Sequence, residues 1–115
     1  MERALDPSVI ETLRQLTPPG EPDVLRDVLT LFLADAPTRL RAIAAAAAQR
    51  DAGALQRAAH TLKGAAGTIG AFSLQNRCRE LEERAKTGSL DGSAAAVDAV
   101  GREFDRVKAE IDQLL

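Results

Sequence analysis

The segment LQRAAHTLKGAAGTIG, residues 55–70, shows apolar side chains at the three- and four-residue spacing of an amphipathic helix. These apolar positions are Leu55, Ala58, Leu62, Ala65 and Ile69. Gly70 follows the last of them and is a typical residue for ending a helix. The segment therefore predicts a helix with one face in a core and the other in solvent.

Two helices are predicted before this segment. Asp6 and the proline after it predict a short helix over residues 7–16, since Asp accepts amide hydrogen bonds at a helix start and proline is tolerated in the first turn. Pro22 is expected to open a long second helix in the same way, kinked at Pro37 and ending near Gln49. Its apolar stripe comprises Leu25, Val28, Leu29, Phe32, Ala36, Leu40 and Ile43.

Two more helices are predicted after residue 70. The stripe of the fourth is Leu74, Cys78, Leu81 and Ala85, and that of the fifth is Val97, Val100, Phe104, Val107, Ile111 and Leu114. Residues 87–89 separate the two. Because short connections imply antiparallel neighbours, we expect an all-α fold, an up-and-down antiparallel four-helix bundle with the short N-terminal helix covering one end.

Composition agrees with one helical domain over residues 1–115. The chain has 115 residues, 45% of them hydrophobic, and only three Phe with no Trp or Tyr, which favours close-packed helices over a sheet. With a net charge of -2, the chain has no overall positive potential that would attract nucleic acid or an anionic lipid surface. The longest apolar run, residues 43–48, is too short for a membrane span, and no secretory signal is visible, so we expect a cytoplasmic protein.

The single His and the single Cys exclude an internal disulfide and a zinc site made from this pair alone. With His60 at 0° on a helical wheel, the apolar residues of its helix lie between about 140° and 240°, so His60 should point directly away from the core. Its outward neighbours are Gln56, Arg57, Lys63, Gly64 and Gly67. This surface is the candidate site.

Gly64 and Gly67 are unusual on that face, because glycine inside a helix costs roughly 1 kcal/mol relative to alanine. Absent side chains on both flanks would leave the imidazole accessible to a large partner. Arg57 and Lys63 would add positive charge, and a neutral imidazole is a competent nucleophile in phosphoryl transfer. Taken singly, a surface His or Lys more often has no role, so this geometry alone leaves a phosphate or partner role and no role both open.

The segment AHTLKGAAGTIGA, residues 59–71, resembles the signature of histidine-containing phosphotransfer domains, His-x-hydrophobic-Lys-Gly followed by a small residue and a further glycine. The likeness extends over most of residues 24–110, and the family's fold is the four-helix bundle predicted above. By this resemblance His60 would be phosphorylated, Lys63 would be the charge partner of the phosphoryl group, and Gly64 and Gly67 would permit approach.

The resemblance also implies the biological setting. The protein would be a phosphocarrier of a bacterial two-component phosphorelay, exchanging phosphate with an aspartate of response-regulator receiver domains and fed by a hybrid sensor histidine kinase. It would act as a monomer without a cofactor, with magnesium on the receiver domain. Many members carry a glutamine on the next helix that helps orient the site, and here that position is Glu82, whose negative charge would be a poor neighbour for phosphate. Glu82 and Gln56 are the candidate supporting residues. An initiating Met1 favours a free-standing protein.

Other classes of function are less compatible with the sequence. No P-loop, nucleophile elbow or paired-carboxylate motif is present, which argues against an autonomous enzyme or kinase. A metal-binding bundle would need Glu-x-x-His pairs, and position 57 is Arg. The alternative that stays open is a bundle that docks a receiver domain without being phosphorylated.

Overall fold

A computed structural model describes residues 3–115, and Met1 therefore lies outside the described residues. Within that range the chain forms five α-helices and no strand. They are α1 (Pro7–Gln15), α2 (Val24–Ala48), α3 (Ala52–Thr68), α4 (Phe72–Lys86) and α5 (Ser93–Leu114). The predicted all-α class and the number of helices are confirmed.

Aspartates cap the first three helices, because each carboxylate accepts one of the backbone amide hydrogen bonds that a helix start leaves free. Asp6 accepts from the amide of Ser8 at 2.8 Å, as predicted for α1. The expectation for α2 was wrong by two residues: Asp23, not Pro22, leads into it, accepting from the amide of Arg26 at 3.2 Å. A capping carboxylate supplies a hydrogen bond, whereas proline is only tolerated there.

Helices α2 to α5 make the bundle, with α3 packed between α2 and α4, and α5 closing the ring against α2 and α4. The α2 helix runs through Pro37 as one element. The first helix packs against α2. Just before it, the amide of Asp6 donates to the carbonyl of Gly70 at 2.9 Å, which ties the N-terminal segment to the α3–α4 turn.

Gly70 is needed in that turn for two reasons. Its φ of +75° lies in the left-handed region that disfavours side chains. In addition, a Cβ there would lie 2.8 Å from Cβ of Val9 on α1. The prediction that Gly70 closes α3 is therefore confirmed, with close packing as a second cause.

The core consists of apolar side chains from all four bundle helices. On α3 the buried residues are Leu55, Ala59, Leu62 and Ala66, whereas Ala58 and Ala65 are only partly buried. Together with Ile69, they centre the core face at about 220° on the wheel with His60 at 0°. The sequence predicted that His60 points directly away from the core, and this is corrected: His60 leans over one neighbouring helix. That neighbour is α4.

No helix among residues 3–115 is long and apolar enough to cross a membrane.

Candidate functional site

His60 lies in the middle of α3 with 66% of its side chain exposed. Its Nδ1 is 2.9 Å from Oε1 of Glu82 on α4. An ionised carboxylate can only accept, so the proton of the neutral ring belongs on Nδ1. The other ring nitrogen, Nε2, keeps its lone pair at the end of the ring away from Glu82. The contact with Glu82 thus fixes the ring orientation and leaves Nε2 at the accessible end of the side chain.

Glu82 is buried, with 4% of its surface exposed. Nζ of Lys63 lies 2.6 Å from its Oε2, and Nζ of Lys86 lies 3.9 Å from its Oε1. The Lys63 contact is an ion pair that departs from ideal hydrogen-bond alignment. Lys63 holds the pKa of the Glu82 carboxyl below its usual range, burial opposes this shift, and the hydrogen bond from His60 adds to it. Glu82 is therefore ionised at neutral pH.

These contacts change the interpretation of Glu82. The sequence suggested an isolated negative charge that would repel phosphate. The structure places two lysines around it, so the group Lys63, Glu82 and Lys86 carries two positive charges and one negative charge. Glu83, which contacts Lys86 at 3.3 Å, adds a second negative charge, so the two lysines balance the two carboxylates and Glu82 is not an isolated negative charge beside a phosphoryl group on His60.

Glu82 should make the stability of the fold depend on pH. Its folded-state pKa lies below the ordinary value of 4.5, so its stabilising contribution is complete above that pH and is lost as pH falls through the folded value. We expect the free energy of unfolding to fall more steeply for wild type than for Glu82→Gln between about pH 5 and 3. Urea unfolding at several pH values measures this. The other carboxyls are common to both proteins, and equal slopes would contradict the assigned pKa shift.

A shallow depression of about 460 Å³ lies beside His60. It is lined by Gln56, Arg57, His60, Thr61, Glu82 and Lys86. Arg57 was predicted to place positive charge beside the ring, but its Nη1 lies 3.3 Å from where a Cβ of Gly53 would be, one turn back along α3. The depression therefore brings together Gln56, Arg57, His60 and Glu82, while the guanidinium of Arg57 extends back towards Gly53.

Sequence reasoning missed Lys86. Its place in the depression follows from a simple spacing, since it lies four residues after Glu82 on the same face of α4. That signal becomes visible once Glu82 is assigned to the site.

Gly64 lies beside His60 with open space around it, because no atom lies within 4 Å of the position that its Cβ would occupy. Next to it is an apolar groove between α2 and α3 of about 430 Å³, lined by Val28, Leu31, Phe32, Asp35, Ala36, Ala65, Thr68 and Ile69. We call this the α2–α3 groove. Thr68 links the two features, since its hydroxyl donates to the carbonyl of Gly64 at 3.1 Å.

Gly67 has a different environment. A Cβ at this position would overlap the side-chain amide of Gln75 on α4. The expectation that Gly67 clears space for a partner is therefore corrected: its missing side chain makes room for Gln75 within the protein. Helix periodicity could not show this, because it does not report which side chain of the next helix lies opposite.

Cys78 lies one turn before Glu82 on α4 and is fully buried. Burial raises the pKa of its thiol to about 12, so the thiolate is not available as a nucleophile. The expectation that Cys78 is a small core residue is confirmed. Among residues 3–115, no group of three or more His, Cys, Asp or Glu side chains is arranged to hold a metal ion.

Comparison with known proteins gives consistent matches. The family model of the Hpt domain matches residues 27–115. Among solved structures, histidine-containing phosphotransfer protein B from Pseudomonas aeruginosa is 34% identical, with a TM-score of 0.89 over 98% of this chain and 95% of that one. A histidine-containing phosphotransfer protein from maize is 24% identical, with a TM-score of 0.83 over 96% of this chain and 86% of that one, and supports the fold. Comparison with curated proteins gives no match.

Proposed function

The chain belongs to the Hpt domain family and is a phosphocarrier of phosphorelays, and from that premise we propose that His60 is the residue that carries the phosphoryl group. The observation that supports this most is the contact between Nδ1 of His60 and the buried carboxylate of Glu82 at 2.9 Å. It holds the ring in one tautomer and leaves Nε2 free to react. Hpt proteins are phosphotransfer intermediates rather than enzymes in the ordinary sense, so the reaction partner supplies the rest of the chemistry.

The proposed reaction starts from the aspartyl phosphate of a receiver domain. Nε2 of neutral His60 attacks phosphorus, the N–P bond forms, and the P–O bond to the aspartate breaks, with the electron pair leaving on the carboxylate. Nδ1 keeps its proton, so the phosphorylated ring is a cation. Glu82 then faces a positive ring, and its charge stabilises the product. The reverse sequence of steps returns the phosphoryl group to an aspartate.

Lys63 and Gly64 have separate roles in this proposal. Lys63, one turn from His60, keeps Glu82 ionised and supplies positive charge to the phosphoryl group. The open surface at Gly64 lets the receiver domain bring its aspartate up to the ring. Magnesium belongs to the acidic site of the receiver domain, and Hpt domains interact with such receiver domains in phosphorelays.

The α2–α3 groove is the proposed docking surface for the receiver domain, because it borders Gly64 and leaves the apolar side chain of Leu31 69% exposed. A large exposed apolar residue beside a reactive group favours a protein partner. The residues around the groove and His60 thus form one continuous contact face.

Leu31→Asp should weaken docking and leave the chemical step nearly unchanged. Losing a central apolar contact and adding a charge should raise the KM for the phosphorylated receiver at least about 10-fold. Leu31 is exposed, so the free energy of unfolding should change by no more than about 0.5 kcal/mol. Leu115→Asp is the matched control, since Leu115 is 45% exposed at the end of α5, away from α3. An unchanged KM for Leu31→Asp would remove the groove from the docking surface.

The proposed donor is a hybrid sensor histidine kinase, because the sequence carries no nucleotide-binding motif from which the chain could phosphorylate itself. We propose that residues 1–115 form one domain that acts as a monomer in the bacterial cytoplasm. A monomer is favoured because the contact face around His60 must bind several partners in turn, and a permanent second subunit on that face would prevent this.

The direct test is transfer from a phosphorylated receiver domain. The full chain is mixed with labelled receiver and magnesium, and the products are separated. We expect label on this chain that is labile in acid and stable in base, as a phosphoramidate should be, and mass spectrometry should place it on His60. Absence of transfer from every cognate receiver tested, with binding retained, would favour the bundle that docks without being phosphorylated.

A further inference from the structure

The two lysines at Glu82 differ in how firmly they are held. Lys63 has 24% of its side chain exposed and lies 2.6 Å from Oε2 of the buried carboxylate. Lys86 has 46% exposed, lies 3.9 Å from Oε1, and makes a second contact of 3.3 Å with Glu83. Exposed ion pairs such as that with Glu83 are weak, so little opposes movement of the Lys86 ammonium.

The position of Lys86 also differs from that of Lys63. Helices α3 and α4 run antiparallel, and Lys86 is one turn after Glu82 on α4. Lys86 therefore lies on the side of His60 that faces the N-terminus of α3, whereas Lys63 lies on the side that faces the C-terminus of α3. Lys86 lines the depression beside His60, and Lys63 is not among its lining residues. The contacts of His60 Nδ1 and Lys86 Nζ share Oε1 at 2.9 and 3.9 Å, so these two nitrogens are at most about 6.8 Å apart.

We propose that Lys86 is a second phosphoryl-contacting residue, which turns from Glu82 and Glu83 to the phosphoryl oxygens on Nε2 of His60 during transfer. The inference rests on the proposed function, since it concerns the group that His60 carries. If Lys63 left Glu82, the negative charge on Oε2 of this buried carboxylate would lose its nearest positive partner, which is costly. Lys86 can leave Glu82, because Lys63 remains on Oε2. Lys63 therefore stays on the carboxylate and acts on the phosphoryl group only as a nearby charge, whereas Lys86 contacts the phosphoryl oxygens directly.

The bond changes are those of the transfer itself, and Lys86 takes part in none of them. The transferring group spreads negative charge over its three equatorial oxygens, and an ammonium beside them lowers the barrier in both directions. A cation on the phosphoryl group should therefore affect the maximal rate of transfer more than the KM for the receiver.

The test compares Lys86→Ala with Lys86→Arg and with Lys108→Ala, a lysine on α5 that is 55% exposed and has an ion pair with Asp112 of similar type. We expect the maximal transfer rate to fall about 10- to 100-fold in Lys86→Ala, with most of the rate kept in Lys86→Arg and all of it in Lys108→Ala. In the unphosphorylated protein, the ¹⁵N signals of the His60 ring should match those of wild type, because Lys63 still holds Glu82.

Two results would overturn the proposal for Lys86. One is a transfer rate in Lys86→Ala equal to that in Lys108→Ala. The other is a change in the His60 ring signals of unphosphorylated Lys86→Ala, which would mean that Lys86 acts through Glu82. In both cases wild type would still be labelled on His60, so the proposed function would stand. If wild type were not labelled on His60, the proposed function and the proposal for Lys86 would both be wrong.

Discussion

His60→Gln is expected to abolish phosphoryl acceptance and to leave the fold intact. A glutamine amide has no lone pair comparable to that of imidazole Nε2, so no N–P bond can form. The side chain at position 60 is 66% exposed and contributes little burial, and a glutamine amide can still donate to Glu82. Label transfer should fall to background, whereas the free energy of unfolding should stay within about 0.5 kcal/mol of wild type.

The measurement is phosphotransfer from a labelled receiver alongside circular dichroism and thermal unfolding of the same sample. Label retained by His60→Gln would place the phosphorylated residue elsewhere. A large fall in the thermal midpoint would mean that the ring, or its hydrogen bond to Glu82, is structural.

The second large effect is expected at Gly64. Replacement by Gln should reduce transfer about 100-fold or more, because its side chain would stand about 40° around the helix axis from His60 and obstruct the receiver domain. The fold should survive, since no atom lies within 4 Å of the position of a Cβ at Gly64. Gly64→Ala should stabilise the protein by up to about 1 kcal/mol and be much less harmful to transfer.

Gly101 offers the matched control for this experiment. It lies inside α5, and no atom lies within 4 Å of the position of its Cβ either. Gln at position 101 should therefore change helix stability as Gln at 64 does and leave transfer at the wild-type rate. Equal transfer in the two Gln variants would refute the clearance argument. Unfolding of Gly64→Gln alone would show that Gly64 has a packing role.

The amino-acid sequence was sufficient for the helices and for the residue at the centre of the site. Apolar periodicity, Asp6 and Gly70 depend on local geometry, since a helix places residues three and four apart on one face. The same local rule put His60 and Gly64 together on an outward face. A dense motif within one helix could therefore be read directly, and the family match over residues 27–115 agrees with it.

Two details of the helices were wrong or incomplete for local reasons. The start of α2 moved from Pro22 to the residue after Asp23, since a side-chain hydrogen bond decided between two residues that both suit a helix start. The core face of α3 includes Ala59, because the neighbouring helices determine which side of an Ala-rich helix is covered. Alanine occurs on both sides of α3, so the apolar periodicity alone could not determine how the helix is rotated about its axis relative to the core.

Only the tertiary structure decided how the site works. His60 and Glu82 are 22 residues apart, and their contact depends on the register between α3 and α4, which is set by the packing of many side chains. That register brings Lys86 into the depression and puts Gln75 over Gly67. Spacing rules within one helix carry no information about a neighbouring helix, so they indicated His60 and not Glu82. The family resemblance pointed to Glu82 but suggested a poor neighbour for phosphate, and only the packing of α4 against α3 places its carboxylate on Nδ1 of His60.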